Sequence, residues 1–282
     1  MATRRSATMQ RRRLGVELRH IREQVGLTIE EVAQRLECSD SKVSRIETGQ
    51  VSATPRDVRD MLDIYKVDQE QRVALIQLAR EARHRGWWEA YSDTPVVPLV
   101  GLETAASQVL EYEPMAVPGL LQTSEYARAV IRVMMPDLPP ERVNRWVQLR
   151  MARQALLTRD DPPEFVAVLD ECLLHRPVGG REVLREQLRH LAEAATLPTV
   201  TLQVLPLEVG EHAALSGAFT IYHFAEETDP DVVYLEHARG EPYFIETVRD
   251  VHRYATAFES LRTMALDPAE SAALLAQGAR KV

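Results

Sequence analysis

The sequence predicts two domains of different class: an all-α domain of five helices, then a larger α+β domain whose small, largely antiparallel sheet is flanked by helices. Three observations carry that reading. Apolar residues recur at helical spacing up to about residue 82, whereas short β-branched or aromatic runs bounded by turn residues begin only at residue 164. The charge divides as well: residues 1–85 hold 17 basic and 13 acidic side chains, about +4, and residues 86–282 hold 17 and 29, about −12. Between the halves, "RHRGWWEAYSDTPVVP" has the glycine and prolines of a junction. The expected segments are a basic arm over 1–13, a helical domain over 14–83, a linker over 84–98 and the α+β domain over 99–282.

The whole chain bounds the function classes. Its 282 residues, 45% hydrophobic and 27% charged, suffice for two domains with real cores. No run approaches the roughly 18 apolar residues of a membrane span. The arginine-rich start lacks the apolar segment of a secretory signal. Cys38 and Cys172 form neither a disulfide framework nor a metal spacing, which suits a reducing cytoplasm.

The arm comes first. Arg4, Arg5, Arg11, Arg12, Arg13, Arg19 and Arg22 face only Glu17 and Glu23, so Arg11, Arg12 and Arg13 could neutralise phosphates; a merely solvated tail is the alternative. Leu14, Leu18, Ile21 and Val25 then mark helix one, which Gly26 closes. Thr28 reads as an N-cap, with Glu31 completing a capping box, and helix two buries Val32, Ala33 and Leu36. Ser39 caps the third helix, "SDSKVSRIETG", which has only Val43 and Ile46 to face a core. Thr54, Pro55 and Asp57 open a fourth, burying Val58, Met61, Leu62 and Tyr65. A fifth buries Val73, Leu75, Ile76, Leu78 and Ala79.

Helices two and three make a helix-turn-helix, whose second helix lies in the DNA major groove. "LTIEEVAQRLECSDSKVSRIETG" resembles the lambda-repressor-like, or xenobiotic-response-element, family of regulators, through Thr28, Glu31, Ala33, Leu36, Val43, Ser44, Ile46, Glu47 and Gly49. The resemblance covers roughly residues 14–67. It implies that Asp40, Ser41 and Arg45 face base edges, and Arg45 suits the bidentate contact to guanine. Thr28 belongs to the same DNA-facing surface, and Ser39, Lys42 and Ser44 are placed for phosphates. Asp40 either accepts from a cytosine amino group or supports the helix N-terminus while repelling phosphate; the second is favoured. Glu47 is expected to pair with Arg22. Two departures stand out. Ile29 occupies a position where the family often has a phosphate-contacting glutamine, and Glu37 one where it usually has glycine, at a cost of ~1 kcal/mol if φ is positive.

At the junction, Trp87 and Trp88 are expected to anchor the linker against the second domain. "LVGLETAASQVLEYEP" reads as a helix, followed by helices over 123–135 and 140–157. "EFVAVLD", "TVTLQVLP", "GAFTIYHF" and "DVVYLEH" read as strands, the last three largely antiparallel. Helices over 181–195, 248–264 and 268–277 complete the domain. "YEPMAVPGLLQTSEYARAVI", "LDECLLHRPVG", "VTLQVLP" and "SGAFTIYHF" resemble the C-terminal domain of actinobacterial, Streptomyces-type, antitoxin-like regulators, over about 95–277. Such regulators are often encoded beside a small partner protein.

Asp170, Glu171 and His175, then Glu211, His212, Glu236 and His237, gather polar groups near strand ends, yet their spacing matches no metal or catalytic motif. An enzyme, a cofactor and a metal are therefore not expected. Tyr126, Glu171, His175, His212 and Tyr222 are the candidates for a ligand or partner pocket. The leading expectation is a cytoplasmic, sequence-specific regulator, a repressor or autoregulator. It would bind double-stranded DNA as a homodimer through residues 39–48. The alternatives are a scaffold that neutralises a small partner protein and a sensor of a small-molecule effector.

Overall fold

The computed structural model describes residues 7–83, 86–91, 93–94, 97–226, 229–236 and 242–282. The chain forms two compact units, one of Met1–Ser92 with Val97–Ala105 and one of Asp93–Val96 with Ala106–Val282.

The first unit opens with α1 (Ala7–Gln24), so the segment expected as an arm over 1–13 is helical from Ala7. Arg4 and Arg5 lie outside the described residues. The reason for the longer helix is a concealed stripe: Thr8, Arg12 and Gly15, at i, i+4 and i+7, all face inward although none reads as apolar. α2 (Ile29–Arg35), α3 (Asp40–Glu47), α4 (Pro55–Tyr65) and α5 (Gln69–Glu81) follow. Their core joins Leu14, Leu18 and Ile21 to Val32, Ala33, Val43, Ile46, Val58, Met61, Leu62, Tyr65, Leu75 and Ala79. Two expected core residues fall outside it, since Val25 and Val73 are exposed. In α5 the buried stripe runs through Leu75 and Ala79 and continues to the C-cap Ala82, and Val73 lies off it.

The unit does not end near residue 82. A 3₁₀ turn (Trp87–Tyr91) and α6 (Val97–Ala105) belong to it, and α6 packs on both that turn and α1. Trp88 is buried, and the turn that holds it packs on α6, whose residues from Leu99 were expected in the second domain but group here with the helices. The approach of α6 to α1 is close, because a Cβ on Gly101 would sit 2.4 Å from Thr8 Oγ1.

The second unit is an α+β domain around a six-stranded mixed sheet of order β3-β2-β1-β4-β5-β6. The strands are β1 (Gln108–Glu113), β2 (Glu164–Asp170), β3 (Val200–Leu205), β4 (Phe219–His223), β5 (Val232–Glu236) and β6 (Pro242–Ile245). β1, β2 and β3 pair in parallel, joined by crossovers through α7 (Ser124–Met134) with α8 (Pro140–Arg153), and through α9 (Arg181–Ala194). β4, β5 and β6 add antiparallel pairs, so β3 lies at the far edge and does not neighbour β4 as its short connection suggested. Two strands were not anticipated, β6 and β1. β1 falls inside the segment expected to be one helix over 99–114. It sits mid-sheet with Val109, Leu110, Glu111 and Tyr112 all buried, so the alternation that marks a half-buried strand is missing. One sheet face, including Leu110, Tyr112, Val166, Phe219 and Ile221, packs on Val251, Phe258 and Leu261 of α10 (Val248–Met264). α11 (Pro268–Lys281) packs on α9 and β3.

Candidate nucleic-acid interface

The turn between α2 and α3 is built by caps. The Thr28 hydroxyl accepts from the Glu31 N–H at 3.2 Å, and Glu31 Oε2 accepts from the Thr28 N–H at 2.9 Å. At the far end, Cys38 N–H donates to Ala33 O at 3.0 Å across Glu37, whose φ of 51° is left-handed. Glutamate adopts that angle at a cost of ~1 kcal/mol relative to glycine. Ser39 then starts α3, its hydroxyl accepting from the Lys42 N–H at 3.3 Å. Each cap of this kind contributes ~1 kcal/mol.

α3 is anchored by one face only. Val43 and Ile46 are buried, whereas Asp40, Ser41 and Arg45 are exposed and Ser44 is half-buried. Arg45 Nε donates to the Ser41 carbonyl at 3.1 Å, and its Nη groups engage no described residue. Lys42 is committed elsewhere: its Nζ lies 2.7 Å from Asp57 Oδ1. The bond to Asp57 raises the Lys42 pKa; desolvation would raise that of Asp57, but the bonds from Lys42 and Thr54 hold it below its ordinary value.

The end of α3 is fixed by a buried fork. Arg22 Nε and Nη2 donate to Glu47 Oε1 and Oε2 at 2.7 and 2.9 Å, and Nη1 donates to the Leu27 carbonyl at 2.8 Å. The bond to Glu47 raises the Arg22 pKa against desolvation. Burial, then the charge of Glu47, raises that of the Tyr65 phenol. Gly15 makes this seat possible, since a Cβ there would lie 2.4 Å from the Glu47 carbonyl oxygen and 2.7 Å from that of Ile46.

The remaining expected contacts divide. Thr28 is exposed at the start of α2. Arg11 is not a free arm residue: Nη2 lies 2.7 Å from Glu89 Oε1, and Nε donates to the Ala82 carbonyl. Arg12 is buried beside Gly49, and Arg13 is half-buried, because all three sit on α1 rather than on an extended tail. Ile29, in place of a polar contact, packs against the core. Sequence reasoning placed Asp57 only in the first turn of α4 and missed its bond to Lys42, and it missed Gly15, which only its small size in a helical stripe hinted at.

Comparison with known families gives two matches, the second of which also takes in α6. Residues 13–75 match a helix-turn-helix domain, and residues 96–277, more than half of the chain, match a domain of unknown function, DUF5753. The chain belongs to the DUF5753 family. No curated protein and no solved structure matches it.

Within the DUF5753 domain the five expected pocket residues do not converge on one place. Tyr126 is buried on α7, its hydroxyl accepting from the Val117 N–H at 3.3 Å. Tyr222 is buried in β4 opposite Val109. His212 rests edge-on against Tyr112, ring centres 5.6 Å apart. Only Glu171 and His175 come together, in the 3₁₀ turn after β2, and both line a cavity of about 340 Å³. His237 lies outside the described residues.

The misread strand β1 also carries an acid that the sequence did not reveal. Burial, then the charges of Glu111 and Glu236, push the Glu113 carboxyl well above its ordinary range, with Arg150 opposing. A carboxyl raised in this way supports folding fully below its unfolded pKa and loses that support as pH rises through the folded value. Glu113→Gln is therefore expected to raise the urea midpoint at about pH 8 and leave it unchanged near about pH 4. Equal midpoints for both proteins at the higher pH would show that Glu113 is ionised in the fold at no cost.

Proposed function

We propose that this DUF5753-family chain is a sequence-specific DNA-binding transcriptional regulator of the lambda-repressor-like type, which reads DNA with α3. The observation that carries the reading is the Arg45 guanidinium, presented beside Ser41 on the open face of a helix whose other face is locked into the core. Ser39, Asp40, Ser41 and Arg45 offer donors and acceptors to a groove, and Thr28 and Ser44 lie beside them. Lys42 shares its ammonium with Asp57. One such helix spans few base pairs, so the protein acts as a homodimer on a two-fold operator with half-sites ~34 Å apart. We read it as a cytoplasmic repressor or autoregulator of the antitoxin-like, actinobacterial type, not an enzyme, and free of cofactor and metal.

The test is genomic footprinting of the wild type beside Arg45→Ala, followed by binding to the best site at two salt concentrations. Loss of a bidentate contact to guanine costs ~1–3 kcal/mol, roughly fivefold to 150-fold in affinity. Affinity that also falls steeply with salt supports phosphate neutralisation. A folded protein with no enriched site would overturn the reading. The acidic DUF5753 domain would then be the working part, as a scaffold for a small partner protein.

A further inference from the structure

The cavity beside Glu171 and His175 has an apolar floor and a basic rim. Leu174, Leu184 and Leu274 form the floor, from the 3₁₀ turn, α9 and α11. Gly278 lets α11 seat closely on that floor, since a Cβ there would lie 3.2 Å from Leu188 Cδ1 and 3.7 Å from Leu174 Cδ2. Arg181, the first residue of α9, and Lys281, the last of α11, bring two cations to the same opening. Neither has an ion pair among the described residues. The one side-chain carboxylate of the lining, Glu171, is tied down: Oε2 accepts from the Leu207 N–H at 2.9 Å, and Oε1 lies 3.7 Å from His175 Nε2. α9 also begins at Gly180 without a side-chain cap. Val282 lies at the opening as well.

Two cations without an ion pair among the described residues, above an apolar floor and with the lining carboxylate of Glu171 held by the Leu207 N–H, suit an amphipathic anion better than a neutral or cationic molecule. The volume of about 340 Å³ falls at the lower end of known small-ligand sites, about 300–1,000 Å³. We propose that this cavity binds a small organic carboxylate. Its head lies between Arg181 and Lys281, and its aliphatic or aromatic body rests on the three leucines. The site adds a ligand to the DUF5753 domain and does not depend on the DNA-reading proposal.

The test is calorimetric titration of the full-length protein, without DNA, using decanoate, decanol and decylamine as probes. Saturable binding of one decanoate is expected, with decanol weaker and decylamine weakest. Arg181→Glu with Lys281→Glu, both at exposed positions, should weaken decanoate at least about tenfold while circular dichroism stays unchanged. The milder pair Arg181→Gln with Lys281→Gln serves if the reversal disturbs folding, and should weaken decanoate in the same direction. Decylamine binding as well as decanoate, unchanged decanoate affinity in the variants, or no saturable binding to the wild type would each overturn the proposal.

Discussion

Glu47→Ala is expected to destabilise the helical unit by ~3–5 kcal/mol, the cost of leaving one buried charge without its partner. Arg22 would remain at the α1–α3 contact with the Leu27 carbonyl and the exposed Glu23 carboxylate, 3.6 Å from Nη2, as its remaining partners. Domains are stable by only about 5–15 kcal/mol, so the variant should unfold at a much lower urea concentration and lose ordered α3 first. Replacing both partners, Arg22→Met with Glu47→Leu, should recover most of the loss, because an apolar pair of similar volume costs little in such a site. Urea unfolding followed by circular dichroism separates the cases. If Glu47→Ala costs less than about 1 kcal/mol, the pair behaves as a solvated surface bridge and the anchoring role fails.

The second large effect belongs to Gly15. Gly15→Ala places a methyl 2.4 Å from one backbone carbonyl oxygen of α3 and 2.7 Å from another, neither of which can rotate aside. α1 and α3 must separate, at a cost of at least about 3 kcal/mol, at the high end for overpacking. The matched control is Gly26→Ala, where nothing lies within 4 Å and only the φ of 71° is strained, for about 1–2 kcal/mol. Thermal melts of the two variants should therefore differ widely. Similar melts would mean that α1 yields freely, and the close seat would then matter little.

How legible all this was depends on how local the cause is. The N-caps Thr28, Ser39 and Thr54, and the left-handed residue at Glu37, are set by three or four neighbouring side chains, so the sequence displays them. The core of the helical unit follows from the same periodicity. What escaped is set by tertiary partners. The inward stripe of Thr8, Arg12 and Gly15 is polar or small, and tertiary partners such as α3, Gly49 and α6 make it a packing face. β1 was hidden because burial on both faces erases alternation, and with it went Glu111 and Glu113. Among the candidate pocket residues, chain proximity brought Glu171 and His175 together but said nothing of Arg181 and Lys281, which one cavity joins from two helices.

The sheet order has a consequence for the order of synthesis. β1 is made early, yet one of its two neighbours is β4: Ser107 N–H donates to the carbonyl of His223, 116 residues later. At about 5–20 residues per second, that neighbour leaves the ribosome roughly ten seconds after β1 does. The helical unit, whose last helix ends at Ala105, can be complete by then, while β1 waits with an open edge through the making of β2 and β3. The nascent chain therefore spends its most aggregation-prone interval with a folded head and an unfinished sheet. A chaperone that recognises exposed β-edges would be needed most within that interval.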